Sequence, residues 1–214
     1  MTEVKAAAAE GRRQRKARQT RRRILAAATE LFTRQGYTAT TIQQIAGQAD
    51  VAWQTVYSVF GTKAAILSAA FDVAVAGDDE PVPVAERPFV QAIRDAADPR
   101  EKAGIFARHL RASASRTAGV VSVIESAATT DPEIAALWRK LRDQGLHGMT
   151  LAARGFRDEG ALRPGLTVAR AADILWLYLG PWSYRVLVTQ RGWTPDEYEA
   201  WLADTLYTQV MSNG

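Results

Sequence analysis

Gln54, Thr55 and Ser58 place three hydrogen-bonding side chains within one short segment, Ala52 to Val59. An amide such as Gln54 can pair with adenine N6 and N7, and a threonine methyl such as that of Thr55 can meet a thymine methyl. Wound as a helix, the segment has a polar face carrying these residues, while Val51, Val56 and Phe60 can turn to a core. Trp53 either adds an apolar or stacking contact at a groove edge or packs back on the first helix. Trp53, Gln54, Thr55 and Ser58 are therefore the candidate base contacts. Just upstream, Ile42, Ile45, Ala46 and Ala49 recur at i, i+3, i+4 and i+7, the apolar stripe of a short amphipathic helix. Thr40, with Gln43 three residues on, fits a capping box at its start, and Asp50-Val51 breaks the pattern. Two short helices joined by a tight turn suit a major groove. An ordinary αα-hairpin with a solvated face would carry the same pattern.

The preceding residues bear on that choice. Arg12, Arg13, Arg15, Lys16, Arg18, Arg21, Arg22 and Arg23 put eight cations and no acid into twelve residues. Set against a chain total of +4, they leave the remainder at −4, so the basicity is local and points to an anionic partner. The spacing predicts a helix from about Thr20, with Arg21 to Arg23 in its first turn. Cations there oppose the macrodipole by several tenths of a kcal/mol each, a sign that a nearby phosphate would reverse. No bulky apolar side chain interleaves the arginines before Ile24, so the segment has nothing to insert into lipid. Arg21 and Arg22 join Thr40 and Thr41 as candidate phosphate contacts, Thr41 from a helix N-terminus whose N–H groups favour anions.

From about Thr20 to Phe71 the chain resembles the TetR family of bacterial transcriptional regulators. The resemblance runs through ILAAATELFTRQGYTATT (Ile24 to Thr41) and IAGQADVAWQTVYSVFGTKAAIL (Ile45 to Leu67). Its most specific part is Tyr57, Phe60 and Lys63 after the helix-turn-helix, with Phe32, Gly36 and Tyr37 before it. The resemblance implies that Tyr57 projects toward the DNA backbone and that Lys63, at the start of a fourth helix, anchors a phosphate. Two positions depart from the family pattern: Asp50 stands where glycine is usual, and Ala52 where serine caps the recognition helix. Loss of that hydroxyl costs about 1 kcal/mol, and Asp50 can tolerate the turn geometry that glycine normally supplies.

Composition bounds the rest. The 214 residues suffice for a real core, and the absence of cysteine excludes disulfides, thiolate metal sites and thiol redox sensing. His109 and His147 stand alone as histidines, so no metal site is expected, and no cofactor. No phosphate loop, nucleophile elbow or HExxH occurs, and Asp131 and Glu133 read as helix caps; no catalytic residue and no enzyme are expected. The longest bulky apolar run, Ile174 to Leu179, is far short of the ~20 residues of a membrane span. No apolar leader region is seen at the N-terminus, so a cytoplasmic location without membrane contact is expected.

The fold class expected is all-α, with about nine helices: a three-helix helix-turn-helix DNA-binding domain followed by a helical ligand-binding and dimerisation domain. Residues 1–18 are expected to be a disordered basic arm, 19–76 the DNA-binding domain with a linking fourth helix, and 89–214 the second domain. Gly36 reads as a C-cap, and GDDEPVPVAERP (Gly77 to Pro88) as a helix-free boundary. Asp98-Pro99 opens a helix to about Arg116 and Val120 to Thr129 a short one. Asp131-Pro132-Glu133 opens a long helix to about Glu159, Thr167 to Arg191 a helix broken at Gly180-Pro181, and Thr194-Pro195-Asp196-Glu197 a last one through Met211.

The last two helices are apolar on more sides than one face requires. Tyr198, Leu202 and Leu206 form a stripe with Trp201 beside it, and Ile174 to Leu179 has no polar face. In the TetR family the resembling pair forms a four-helix dimer interface, which makes Trp182, Tyr198, Trp201, Leu202 and Leu206 candidate homodimer contacts. A large single-chain core is the other explanation. Five of the six tryptophans lie in this half, and the resemblance implies an inducer pocket beside the long seventh helix. Its candidate walls are Phe106, His109, Trp138, Leu141 and Trp176, with Glu125 or His109 as polar orienter. Two functions stand at this point. One is a ligand-responsive regulator, most simply a repressor released from double-stranded palindromic operator DNA by an unknown small-molecule effector. The other is a helical small-molecule-binding or scaffold protein whose basic arm holds polyanions without sequence preference.

Overall fold

The computed structural model describes residues 2–80 and 82–211, with side chains from Gly11 onward apart from those of Arg12 and Leu179. All regular elements among these residues are helical, as expected. They are α1 (Thr2–Ala39), α2 (Ile42–Gln48), α3 (Trp53–Phe60), α4 (Lys63–Ala76), α5 (Pro88–Asp95), α6 (Pro99–Ala128), α7 (Pro132–Asp158), α8 (Val168–Leu179), α9 (Trp182–Tyr184) and α10 (Pro195–Leu206). A 3₁₀ turn (Val84–Glu86) precedes α5, and π-helical turns continue α9 (Arg185–Gln190) and α10 (Tyr207–Met211). No single helix among the described residues is long and apolar enough to cross a membrane.

Helix signals in the sequence act where they were read, with instructive shifts. α1 begins at Thr2, well ahead of the start expected near Thr20. Ala6 to Ala9 and the Arg, Lys and Gln residues that follow are strong helix formers, and they extend the first helix backwards. Arg21 to Arg23 therefore lie mid-helix, and the opposition to the macrodipole expected of a first turn does not arise. The expectation of a disordered basic arm over residues 1–18 includes Met1, the side chains of residues 2–10 and that of Arg12, which lie outside the described residues. At Gly36 the backbone leaves the helix with φ +83° and ψ 168°, a conformation that a Cβ would oppose. The capping box sits one residue later than expected. Thr41 Oγ1 accepts from the Gln44 N–H at 3.2 Å, and Gln44 Oε1 accepts from the Thr41 N–H at 2.9 Å. Thr40 is buried, and its hydroxyl donates back to Gly36 O at 2.8 Å.

The chain divides into two compact units. The first runs up to Val73 and also takes Ser122 to Leu137, the end of α6 and the start of α7. The expected bounds, 19–76 and 89–214, place that corner in the second domain. In the structure Val123, Ile124, Ala127 and Ile134 are buried apolar groups, and Asp131 and Glu133 act electrostatically on Tyr37. The core of this unit is built on Ile24, Ala28, Leu31 and Phe32 of α1, Ile45 of α2, Val56 of α3 and Ile66 and Leu67 of α4.

The second unit comprises Ala74 to Val121 and the chain from Trp138 onward. Its core brings together Phe106, Ala107 and Leu110 of α6, Ala153 and Phe156 of α7, Leu175 of α8, and Tyr198, Leu202 and Leu206 of α10. α6 is one unbroken helix across the two segments expected, and α5, absent from the sequence reading, opens at Pro88 with Arg87 in extended conformation before it. α7 begins as expected, with Asp131 Oδ1 accepting the Glu133 and Ile134 N–H groups at 2.9 and 3.2 Å. α10 opens on the full Thr194–Glu197 capping box.

Candidate nucleic-acid interface

The turn between α2 and α3 is shaped by Asp50. Asp50 has φ +50°, and no other non-glycine residue among those described has a positive φ. Arg23, from α1, donates to the carbonyls of Ala49 and Asp50 and to Asp50 Oδ2 at 3.0 Å. The aspartate thus replaces the conformational freedom of glycine with a side chain that can enter the left-handed region and be held there. Ala52 makes no side-chain bond to the start of α3. Ala52→Ser should therefore raise stability by about 1 kcal/mol, read as an upward shift in the urea midpoint at constant slope.

α3 is anchored on one side and open on the other. Val56 is fully buried, and the Arg21 guanidinium lies 4.8 Å over the Phe60 ring. Gln54 and Ser58 are exposed and Thr55 half-buried, so the candidate base contacts share a solvent-facing arc. Trp53 is 50% exposed and Tyr57 55%. Their rings meet edge to face at 6.3 Å, so Trp53 packs on Tyr57 of its own helix. Arg22 is exposed on α1, together with Arg13, Arg15, Lys16 and Arg18.

The phosphate candidates are rearranged. Thr40 is withdrawn by burial, and Thr41, though exposed, is occupied in the capping box. Lys63 Nζ donates to Tyr37 O at 2.8 Å and Thr40 O at 3.0 Å, and lies 4.1 Å over the Tyr37 ring. Partial burial lowers its pKa, against a smaller upward pull from Asp131. Tyr37 is pushed up to about 12, first by burial and then by Asp131 and Glu133. Lys63 is a cap on the carbonyls at the end of α1, a role that sequence spacing does not reveal because the acceptors are 23 and 26 residues away. Lys63→Ala should lower stability by about 2 kcal/mol through two lost charge-assisted hydrogen bonds. The check is thermal unfolding alongside the salt slope of DNA binding. A slope reduced by about one ion at unchanged stability would return Lys63 to the phosphate role.

Of the expected pocket walls, Phe106, His109, Trp138, Leu141 and Trp176 lie in the second unit. Phe106 is buried against Phe156 at 5.8 Å, and Leu141 is buried. Trp138 is half-buried, and Glu125 falls in the first unit. His109 stacks on Phe89 at 3.6 Å with an interplanar angle of 8°. Phe106 is a core residue because its ring completes the packing between α6 and α7. Two grooves open on the second unit. One, of about 410 Å³, is lined by Leu146, Thr150, Arg154, Arg157, Val168 and Ala172 among others. The other, of about 230 Å³, is lined by Arg139, Arg142, Asp143, Leu146 and Trp176. Trp176 is thus the one expected wall that borders either groove.

His109 is pushed down to about 4, mainly by burial and then by Arg116 and Arg87. A base whose pKa falls on folding binds its proton more readily when unfolded, so stability rises with pH. The window lies between about 4 and the ordinary value of 6.5. Equilibrium unfolding should show stability lost as pH falls through that window, and His109→Gln should flatten the dependence.

The dimer candidates divide by burial. Tyr198, Leu202 and Leu206 are fully buried in the core of a single chain, and Tyr198 shares a 2.8 Å hydrogen bond with Ser183. Their i, i+4, i+8 stripe faces the core of the second unit. Trp201 is half-buried among the Tyr178, Trp193 and Tyr198 rings. Trp182 and, on α8, Leu177 are each 61% exposed, with Leu146 and Leu151 of α7 also open.

Comparison with known proteins bears on the first unit most directly. The sequence pattern of the bacterial regulatory proteins of the tetR family matches residues 24–70, from α1 into α4. An uncharacterised HTH-type transcriptional regulator of Bacillus subtilis, YdeS, is 28% identical over 172 residues, covering 79% of each chain. A candidate transcriptional regulator from Saccharomonospora viridis, solved in complex with choline, aligns with a TM-score of 0.64 at 22% identity, over 90% of this chain and 98% of its own. NalD, the secondary repressor of the MexAB-OprM multidrug efflux pump in Pseudomonas aeruginosa, aligns with a TM-score of 0.64 at 21% identity, over 91% and 98%.

Proposed function

Because this chain belongs to the TetR family of bacterial transcriptional regulators, we propose that it is a ligand-responsive, sequence-specific DNA-binding regulator. Its simplest mode is repression, relieved when a small molecule lowers its affinity for a palindromic operator. The observation that carries the reading is α3, whose base-reading side chains face solvent beside an arginine-rich α1. Phosphate contacts fall to Arg21, Arg22 and Tyr57, and base contacts to Trp53, Gln54, Thr55 and Ser58. A second copy of the chain covers Leu177 and Trp182 on the surface of the second unit, so that two recognition helices address two half-sites about 34 Å apart.

Effector response follows from linkage. α4 begins in the first unit and ends in the second. A ligand that favours a dimer with altered recognition-helix spacing lowers operator affinity, and operator DNA must weaken ligand binding by the same factor. A coupling of about 1–3 kcal/mol is typical and would release an operator that is only moderately occupied. The solved S. viridis relative holds choline. For this chain the groove bordered by Trp176, Arg139 and Arg142 is the proposed effector site, and it favours a ligand with an apolar body and an anionic group. The test is selection of duplexes from a randomised pool by the full-length protein, followed by competition with unrelated DNA. Specific binding keeps an advantage of about 10³-fold or more at physiological salt. Equal binding to every duplex would instead leave a polyanion-binding protein.

A further inference from the structure

α3 carries no charged side chain: Trp53 to Phe60 reads WQTVYSVF. The commonest specific contact to guanine is a bidentate arginine or lysine on O6 and N7, and α3 offers neither. Its exposed groups are an amide, hydroxyls and two aromatic rings. Trp53, Tyr57 and Val59 are the exposed large apolar side chains of the first unit among the described residues, and all three lie on α3. An apolar patch confined to a recognition helix needs an apolar counterpart in the groove. The one apolar group that base pairs present in the major groove is the C5-methyl of thymine.

We infer that Trp53 is a specificity-determining residue that packs its indole on a thymine C5-methyl, so that α3 reads A·T pairs. The inference rests on the DNA-reading function proposed above and names the base chemistry of that same face. Trp53 is the first residue of α3, at the end of a recognition helix that reaches base edges. Tyr57, one turn on, meets the indole at an interplanar angle of 90°, which holds the ring in place before DNA arrives. Gln54, next in sequence and exposed, supplies an amide whose oxygen accepts from adenine N6 and whose N–H donates to adenine N7. An indole on a thymine and an amide on an adenine address neighbouring A·T pairs without any cation.

The experiment starts from the duplex selected by the wild-type protein and replaces each thymine by uracil in turn, removing only the methyl. The wild-type protein should lose about 4-fold in affinity at one thymine in each half-site, the value of one buried methyl-sized group. Trp53→Ala should bind the parent duplex more weakly and be indifferent to uracil at that same thymine. Thr55→Ser, which deletes the competing methyl on α3, should keep the full uracil effect, and Trp53→Phe should keep part of it. Trp53 is half exposed, and circular dichroism of Trp53→Ala should match wild type. Wild-type affinity unmoved by every uracil overturns the inference while leaving DNA reading intact. So does a uracil effect retained by Trp53→Ala or lost in Thr55→Ser, and so does a Trp53→Ala change in oligomeric state with unaltered DNA affinity. A pool that yields no enriched duplex overturns the DNA-reading function, and the inference with it.

Discussion

Leu202→Ala should lower the melting temperature by about 10 °C and leave the dimer dissociation constant, measured on the folded protein, nearly unchanged. Leu202 has no exposed surface and sits in one core with Leu110, Leu175, Tyr198 and Leu206. Removing a leucine side chain from such a site costs about 3–5 kcal/mol, the lost transfer energy plus the cavity left behind. In a chain of this size each kcal/mol moves the midpoint by about 2–4 °C. Trp182→Ala is the counterpart. With 61% of its surface open, Trp182 contributes little to the single-chain core. Its truncation should leave the melting temperature of the monomer within a degree or two and weaken self-association, read by sedimentation at several concentrations. The reverse pattern, with Leu202→Ala dissociating the dimer at constant stability, would restore the α10 stripe to the interface.

Gln54→Ala should change the operator consensus at one A·T pair per half-site and weaken the selected operator by 10²-fold or more. One bidentate base contact discriminates by about 1–3 kcal/mol, and a symmetric dimer makes it twice. Affinity for unrelated duplexes should hold, since that binding comes from cations on phosphate and Gln54 carries no charge. An unchanged consensus in operator selection would move base reading to Thr55 and Ser58. A uniform loss on all sequences would mean that the substitution disturbed α3 itself, which Val56 and Phe60, not Gln54, hold in place.

Much of the first unit was legible because its signals are local. The Ile42, Ile45, Ala46 stripe, the turn at Asp50 and the polar arc of α3 are all set by residues within one or two helical turns of each other. The start signals at Asp131-Pro132 and Thr194-Pro195 are equally local, and both helices begin there. The shift of the capping box from Thr40 to Thr41 shows the resolution of such signals. Adjacent threonines with glutamines three residues on give two equivalent registers, and burial of Thr40 against Gly36 decides between them.

Long-range partnership is what the sequence cannot display. Lys63 caps the end of α1, Arg23 holds the turn at Asp50, and the corner at Asp131 joins the first unit; each depends on residues brought together from far along the chain. The stripe Tyr198, Leu202, Leu206 is the clearest case. Periodicity establishes that one face of α10 must leave water, but an apolar face has no mark that distinguishes its own core from a partner chain. Phe106 and Trp176 differ in the same way: both are large and apolar, and only packing puts one in the core and the other at a groove. By itself the sequence determined the all-helical class, the helix starts at Asp131-Pro132 and Thr194-Pro195, the basic first helix and the uncharged face of α3, because backbone hydrogen bonding and side-chain chemistry act within a few residues. The tertiary structure alone decided which apolar surfaces meet and which cations are already engaged, because burial belongs to the assembled chain and not to any segment of it.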